Sequence, residues 1–293
     1  MRFVIERSRE TVLHDHSVSG RSVLPTVLGL DLMLRSAPGA GTNLSRLAVS
    51  GVRVGPPILL EPDERARAVV TNHEASGEGW WTSEVRSGHD GVTHFAARLT
   101  AAPPTLGADQ CGVCARAVLP ETDFPVGSEQ VYPPFFHGPI FQVVAGLRTE
   151  ADGVVAAYQA PQRLRWSFGE LVYPAALLEL AMQSCGLWDL ADSGRMTIPA
   201  SIESVTWAPA PLDPSERTVA HAVPSPASTD GQRTFDVHVA ASGRTLMRVA
   251  GYRTADLGLT PDPAAARVLR SLLARTNRHD PHRSNVLAEG ARS

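Results

Sequence analysis

The chain has 293 residues, 43% of them hydrophobic, which is enough for one large domain or two of ordinary size with a real core. Its formal net charge of −3 gives no reason to expect nucleic acid as a partner, because nucleic-acid binders concentrate positive charge. No stretch approaches the roughly 18 apolar residues of a membrane helix, and the N-terminus lacks the apolar core of a signal peptide, so we predict a cytoplasmic protein without a membrane partner.

The first half of the chain is predicted to hold one short helix among strands. Residues 2–7 have β-type composition, and His16 and Gly20 follow in a polar turn. Pro25 then opens an apolar segment, 26–34, which we predict to be a helix because proline is tolerated in a first helical turn. The strands predicted after it, separated by Gly- and Pro-rich turns, cover residues 44–54, 66–72, 80–85 and 92–100.

His16 is predicted to lie in a loop close to the N-terminus of that helix. Free backbone N–H groups at a helix N-terminus can bind developing negative charge, so this is an arrangement suited to catalysis. A lone histidine in a polar turn is more often an ordinary surface residue. The catalytic interpretation therefore depends on a second feature elsewhere in the chain.

A Pro-rich stretch without periodicity, 102–126, is predicted to be a linker. It separates an N-terminal half, 1–101, from a C-terminal half, 127–257. Cys111 and Cys114 have CxxC spacing within the linker, but no second Cys or His pair with zinc-ligand spacing accompanies them. Because a metal site needs a fuller ligand set, we predict no metal site.

The C-terminal half repeats the plan of a central helix among strands. Its aromatic motif at 132–142 is followed by two strands, and a long helix is predicted at 175–190. After residue 257 we expect a short helix at 264–275 and a disordered polar tail. The strands predicted in this half cover residues 143–149, 154–159, 197–207, 218–223, 234–240 and 245–254.

The long helix carries Glu179 within an almost entirely apolar sequence, so it is predicted to be buried on all sides. A carboxyl group there is costly unless it has a partner, and Gln183 lies one turn later on the same face. Burial raises the pKa of a carboxyl group, which would make Glu179 a proton donor near neutral pH. The alternative is a Glu at the edge of the buried face whose side chain reaches solvent.

A helix that is apolar all round among antiparallel strands suggests a sheet curled about it. Two such halves predict an α+β fold with two antiparallel sheets, each wrapped around a central helix. His16 would come from the first half and Glu179 from the second.

Two motifs resemble those of a known family. The spacing of His16, Gly20 and Pro25 resembles the HxxxGxxxxP signature of polyketide synthase and related fatty-acid dehydratase domains. Glu179 and Gln183 resemble the second motif, Dxxx(Q/H), with Glu in place of the usual Asp. Tyr173 stands where many members have His.

Residues 136–142, Phe-His-Gly-Pro-Ile-Phe-Gln, resemble the family's YGPxF element. Their sequence is most similar to the versions of this element in enediyne and polyunsaturated-fatty-acid synthases. The resemblance covers residues 1–257 and implies a double hot-dog fold. It also implies a hydro-lyase of polyketide biosynthesis that removes water from a polyketide or fatty 3-hydroxyacyl thioester. The substrate would arrive on the phosphopantetheine of an acyl carrier protein, and the reaction would need no metal or organic cofactor. The resemblance leaves open whether the protein forms a homodimer.

The resemblance also implies roles for individual residues. His16 would be the base, Glu179 the acid and Gln183 the hydrogen-bonding partner of the acid. The N–H of Gly20 would donate to the thioester carbonyl. The other positions expected at the substrate are Pro25, Phe136, His137, Gly138 and Pro139.

Two alternatives remain on the sequence alone. The longer acid leaves open a cyclase or a double-bond isomerase that uses the same fold and pair of residues. The fold could also serve as a catalytically silent acyl-binding module, although an intact His16 and a buried Glu179 argue against silence.

Overall fold

The computed structural model describes residues 1–38, 47–101, 106, 124–161, 165–208, 216–225, 233–256, 258 and 263–276. Cys111, Cys114 and the tail after residue 276 lie outside these ranges. None of the helices within them is long and apolar enough to cross a bilayer. The helices are α1 (Thr11–His14), α2 (Thr26–Ser36), α3 (Ser128–Val131), α4 (Ala175–Ser193) and α5 (Pro263–Thr276), with a 3-10 turn at Pro139–Phe141.

The N-terminal half is an antiparallel sheet packed on α2. Its strands are β1 (Arg2–Glu6), β2 (Ser17–Val18), β3 (Arg21–Val23), β4 (Leu47–Val54), β5 (Leu59–Leu60), β6 (Ala66–Gly77), β7 (Trp80–Ser87) and β8 (Thr93–Ala101). The sheet order is β1, β6, β7, β8, β4, while β2, β3 and β5 form a small separate sheet. Helix α2 packs on β6, β7 and β8.

The C-terminal half repeats this arrangement around α4. Its strands are β9 (Val126–Gly127), β10 (Val144–Thr149), β11 (Val154–Tyr158), β12 (Arg165–Trp166), β13 (Gly169–Glu170), β14 (Thr197–Trp207), β15 (Thr218–Pro224), β16 (Thr234–Ala241) and β17 (Arg244–Asp256). The order in the main sheet is β14, β17, β16, β15, β11, β10, β9, and α4 packs against β11, β14, β15, β16 and β17.

The two halves are joined where β4 pairs with β14. Val52 lies opposite Ile202 in this antiparallel ladder, so the two predicted sheets form one continuous twelve-stranded sheet. The predicted α+β double hot-dog architecture is confirmed, with the added finding that its sheets share an edge-to-edge junction. The placement of the linker at 102–126 stays a prediction, because most of it lies outside the described residues.

Local sequence explains where the two central helices begin and end. Pro25 and Pro174 precede α2 and α4, where a missing N–H costs no helical hydrogen bond. Gly194 ends α4 in the left-handed conformation, with φ of 74°, which glycine adopts at low cost. The Tyr173 hydroxyl donates to the Val27 carbonyl over 2.9 Å and so fixes the start of α4 against the start of α2.

A second link between the halves is the buried carboxylate of Asp31 on α2. It accepts hydrogen bonds from the backbone N–H of Val172, over 2.8 Å, and from the indole N–H of Trp166, over 3.1 Å. Arg35 pairs with it over 2.8 Å. Burial raises the pKa of Asp31, although these partners oppose the shift. Together these contacts position the segment that leads into α4.

Candidate active site

His16 lies just before β2 and is held by a hydrogen bond from its Nδ1 to the Val23 carbonyl, over 2.8 Å. A carbonyl oxygen only accepts, so Nδ1 carries the proton and Nε2 has a free lone pair in the neutral ring. Burial lowers the pKa of His16 from 6.5 to about 4, and the nearby His137 acts in the same direction. The side chain is therefore neutral at pH 7 and able to accept a proton.

The aromatic motif of the second half reaches across to His16. An isolated antiparallel bridge pairs His16 with His137. The Gly138 N–H donates to the Asp15 carbonyl over 2.7 Å, and the Ile140 N–H donates to the Asp15 carboxylate over 2.8 Å. A Cβ on Gly138 would lie 2.6 Å from Asp15 Cγ, so this close approach requires glycine. These contacts fix the loop of one half to the His16 segment of the other.

Glu179 is buried in α4, with 3% of its surface exposed, which excludes the alternative of a side chain that reaches solvent. Its Oε1 atom lies 2.9 Å from Gln183 Nε2 and 3.4 Å from His137 Nε2. Gln183 also donates to the Phe141 carbonyl over 2.7 Å and accepts from the Tyr132 hydroxyl over 3.0 Å. The carboxyl group is therefore held by a satisfied, buried network.

The predicted direction of the pKa shift at Glu179 is wrong. Burial alone would raise the pKa of Glu179, as the sequence suggested. The hydrogen bond and charge of His137, the charge of His16 and the hydrogen bond from Gln183 outweigh burial and hold the pKa below its usual range. Glu179 is therefore ionised at neutral pH in the free protein, and its neighbours rather than its burial decide its charge.

His16, His137 and Glu179 line one cavity of about 220 Å³ between the two halves. The rest of the wall is mainly apolar, as expected for a site that binds an acyl chain. Pro25 and Thr26 bring the N-terminus of α2 to this wall. The apolar side chains include Val54, Phe95, Phe135, Phe136, Met182, Met196 and Ile198.

The structure brings four of the seven predicted substrate-contacting residues to the cavity wall, namely Pro25, Phe136, His137 and Gln183. The other three are not among its lining residues. Gly138 instead lies against Asp15, and Pro139 is exposed. Gly20 is exposed in the turn between β2 and β3. Its φ of 79° is the left-handed conformation that this tight turn requires. The structure therefore does not bring Gly20 to the cavity wall, and the role of its N–H stays a prediction.

Two residues of the site network were missed by sequence reasoning. Tyr132 accepts from the Val144 N–H over 2.7 Å and donates to Gln183. Asp15 holds the loop that carries His137. Tyr132 is the first residue of the aromatic motif and Asp15 adjoins His16, but only the folded chain shows which partner each side chain meets. Tyr173, which stands at the usual His position, bonds to Val27 and is not among the lining residues.

Comparisons with known proteins agree with this architecture. Residues 2–88 match the family model described as "Polyketide synthase dehydratase domain", and residues 117–262 match "Polyketide synthase dehydratase N-terminal domain". No curated protein sequence matches the chain significantly.

Three solved dehydratase domains have the same fold as this chain. A dehydratase domain of a trans-AT polyketide synthase from Brevibacillus brevis is 18% identical, with a TM-score of 0.70, covering 88% of this chain and 94% of that one. The dehydratase domain of the CurJ module of the curacin polyketide synthase is 15% identical, with a TM-score of 0.68 and coverages of 87% and 91%. The dehydratase domain of PpsC from Mycobacterium tuberculosis is 19% identical, with a TM-score of 0.65 and coverages of 87% and 92%. With the family models matching both halves around the shared cavity, the chain belongs to the polyketide synthase dehydratase family, whose members are hydro-lyases of the double hot-dog fold.

Proposed function

We propose that this protein removes water from a 3-hydroxyacyl thioester carried on the phosphopantetheine of an acyl carrier protein and yields a 2-enoyl thioester. The observation that carries the proposal is that His16 from one half and Glu179 from the other line the same cavity. Elimination of water needs a base at C2 and an acid at the hydroxyl of C3, held on one substrate. We also propose that the protein is located in the cytoplasm.

The base in this proposal is the Nε2 atom of His16. The hydrogen bond from Nδ1 to Val23 fixes the tautomer and the ring orientation. With its pKa lowered to about 4, the ring is neutral before the reaction and takes the C2 proton as the imidazolium forms.

The negative charge that develops on the thioester oxygen needs hydrogen-bond donors. The N-terminus of α2 supports such a role in place of the exposed Gly20, because Pro25 and Thr26 line the cavity. The first N–H groups of a helix have no intrahelical partner, and the helix dipole adds positive potential there. The side chains thus account for both proton transfers, and we propose that neither a metal nor an organic cofactor takes part.

Related solved structures support a thioester substrate and a required histidine. The PpsC dehydratase was solved in complex with C12:1-CoA. The CurJ and CurK dehydratases were each solved as an inactive mutant with a histidine replaced by phenylalanine. By analogy, an acyl thioester would enter this cavity and meet His16.

The assay is the intact mass of an acyl carrier protein loaded with a 3-hydroxyacyl group after incubation with this protein. We expect the mass to fall by one water molecule, and His16→Ala to abolish the change. A double-bond isomerase remains the second candidate, because two imidazoles beside one cavity could remove a proton from C4 of a 2-enoyl group and return one to C2. It would leave the mass of the hydroxyacyl group unchanged but shift the double bond of a 2-enoyl group. No change in either substrate would indicate a silent acyl-binding module.

A further inference from the structure

We propose that His137 carries the proton that the departing hydroxyl receives, and that Glu179 acts as the carboxylate that holds its ring. This inference rests on the proposed dehydratase function and refines its acid step. The sequence resemblance assigns the acid to Glu179 and gives His137 only a place at the substrate. The geometry around the carboxylate supports different roles for these two residues.

The hydrogen-bond network fixes the orientation of the Gln183 amide. The Val144 N–H can only donate, so the Tyr132 oxygen accepts it and turns its own proton toward Gln183 Oε1. The Nε2 group of Gln183 must then face the Phe141 carbonyl and Glu179. A side-chain N–H₂ group can only donate, so Glu179 Oε1 acts as an acceptor in this contact.

The same oxygen of Glu179 faces Nε2 of His137 over 3.4 Å. An oxygen that faces two N–H donors is arranged as the acceptor of an ionised carboxylate, because hydrogen bonds to the charged form favour it. The imidazole then carries its proton on Nε2 at least, and the carboxylate stabilises the ring further when Nδ1 is protonated as well. A buried carboxylate that orients an imidazole and stabilises the imidazolium is a recurring device of acid–base catalysis.

The second ring nitrogen of His137 is left for another partner. Its side chain is only 7% exposed, and Nδ1 has no hydrogen-bond partner within the part of the chain that the structure describes. A buried polar atom without a partner is costly. The ring lines the cavity, is stacked on Phe136 with centroids 4.4 Å apart, and lies 5.4 Å from the His16 ring. Nδ1 itself has less than 1 Å² of accessible surface, so a substrate hydroxyl becomes its partner only if the ring shifts as the acyl group binds.

His16 Nε2 takes the proton from C2, and the electron pair of that bond forms the C2=C3 double bond. The C3–O bond breaks, and its oxygen takes the proton from His137 Nδ1 and leaves as water. His16 ends as imidazolium and His137 as neutral imidazole hydrogen-bonded to Glu179, so one proton must pass from His16 to His137 before the next turnover.

A change of leaving group tests this assignment. A 3-chloroacyl thioester loses chloride as an anion and needs a base but no acid, whereas the 3-hydroxyacyl thioester needs both. We would measure both eliminations on the same carrier protein with wild type, His137→Phe, His16→Ala and the matched control His14→Phe. His14 is an exposed histidine that is not among the residues lining the cavity.

We expect His137→Phe to lower the loss of water by roughly 10²-fold or more, in line with general acid contributions, and to lose chloride at close to the wild-type rate. His16→Ala should slow both reactions, and His14→Phe neither. If His137→Phe slows both reactions equally, His137 only shapes the site, and if it slows neither, His137 is not the acid. Either result overturns the inference.

The failure of the inference is distinguishable from that of the proposed function. A wild-type protein that removes no water contradicts the dehydratase proposal before any variant is made, and the inference falls with it. If His137→Phe does not fold, as judged by circular dichroism, His137→Gln replaces it. The glutamine amide can donate to Glu179 but cannot deliver a proton, so the same selective loss of the water reaction is expected.

Discussion

His137 Nε2 lies 3.4 Å from Glu179 Oε1 in the wall of the cavity between the two halves, and both residues belong to the C-terminal half. This contact reverses the expected charge of the carboxyl group and places a second imidazole beside His16. It joins a loop motif to a helix motif that are 42 residues apart in sequence. Most of what we expect of the reaction depends on this contact, on the neutral His16 and on the fixed loop between them.

Replacement of either His16 or Glu179 should abolish most of the dehydratase activity. His16→Ala and Glu179→Gln are each expected to lower the turnover of a 3-hydroxyacyl carrier protein by roughly 10²-fold or more. The double variant should be little worse than the poorer single variant, because the residues act as a unit. Near-normal turnover of Glu179→Gln in a mass-based rate assay would exclude Glu179 from the acid side of the site.

The length of the acid should matter as much as its charge. Glu179→Asp withdraws the carboxylate by about 1.5 Å, the length of one carbon–carbon bond, from both His137 and Gln183. Because displacements of about 1 Å in a catalytic group can cost on the order of 10²-fold, kcat should fall although the charge is kept. If the aspartate variant matches wild type in steady-state kinetics, the site is not adapted to glutamate, and the departure from the family pattern has no functional meaning.

The stability of the protein should depend on pH through His16. Its pKa is about 4 in the folded protein and 6.5 as the ordinary value, so the unfolded chain binds a proton first as the pH falls. His16 should therefore lower the free energy of unfolding progressively from about pH 6.5 to about pH 4. Urea unfolding of wild type and His16→Gln at pH 7, 5 and 4 isolates this effect, since the variant lacks the titrating group. Parallel curves for the two proteins would mean that His16 is not desolvated.

The contact between Gly138 and Asp15 should be required for a stable site. Gly138→Ala places a methyl group 2.6 Å from Asp15 Cγ, and we expect a loss of about 1–3 kcal/mol in the free energy of unfolding and a lower kcat. Gly186→Ala is the matched control for stability. Its added Cβ would lie 3.4 Å from the nearest atom, on Phe135, and alanine is the better helix former. Equal unfolding midpoints for Gly138→Ala and wild type would contradict the close approach.

The buried ion pair of Asp31 and Arg35 should be important for folding. Asp31→Ala leaves a largely buried guanidinium and two N–H donors, from Trp166 and Val172, without their acceptor, and should cost about 3–5 kcal/mol. The pair of Glu64 and Arg67 is the control, because the Glu64 side chain is 22% exposed whereas that of Asp31 is fully buried, and Glu64→Ala should cost at most about 1 kcal/mol. A small effect of Asp31→Ala in denaturant unfolding would mean that the segment before α4 does not depend on this carboxylate.

The central helices could be predicted because their signals are local. Pro25 and Pro174 mark the starts, Gly194 marks an end, and the apolar composition of α4 indicates full burial. The antiparallel halves follow from alternating strands around each helix. The pairing of β4 with β14 could not be predicted, because it joins segments about 150 residues apart whose edges carry no local pairing signal.

The site was predictable as a set of residues but not as a set of contacts. The motif spacing identified His16, Glu179 and Gln183, and the burial of α4 was correctly inferred. The sign of the pKa shift at Glu179 could not be inferred, because it depends on His137, which only the fold brings near. The exposed position of Gly20 likewise depends on the course of the β2–β3 turn.

The central claim is that one substrate lies between His16 and the His137–Glu179 pair. A crystal structure of the wild-type protein with a 3-hydroxyacyl pantetheine amide, in which the thioester sulfur is replaced by nitrogen, tests it most directly. We expect C2 within about 3.5 Å of His16 Nε2 and the C3 hydroxyl within hydrogen-bond distance of His137 or Glu179. An acyl group that lies outside this cavity, or whose hydroxyl points away from both residues, would contradict the account.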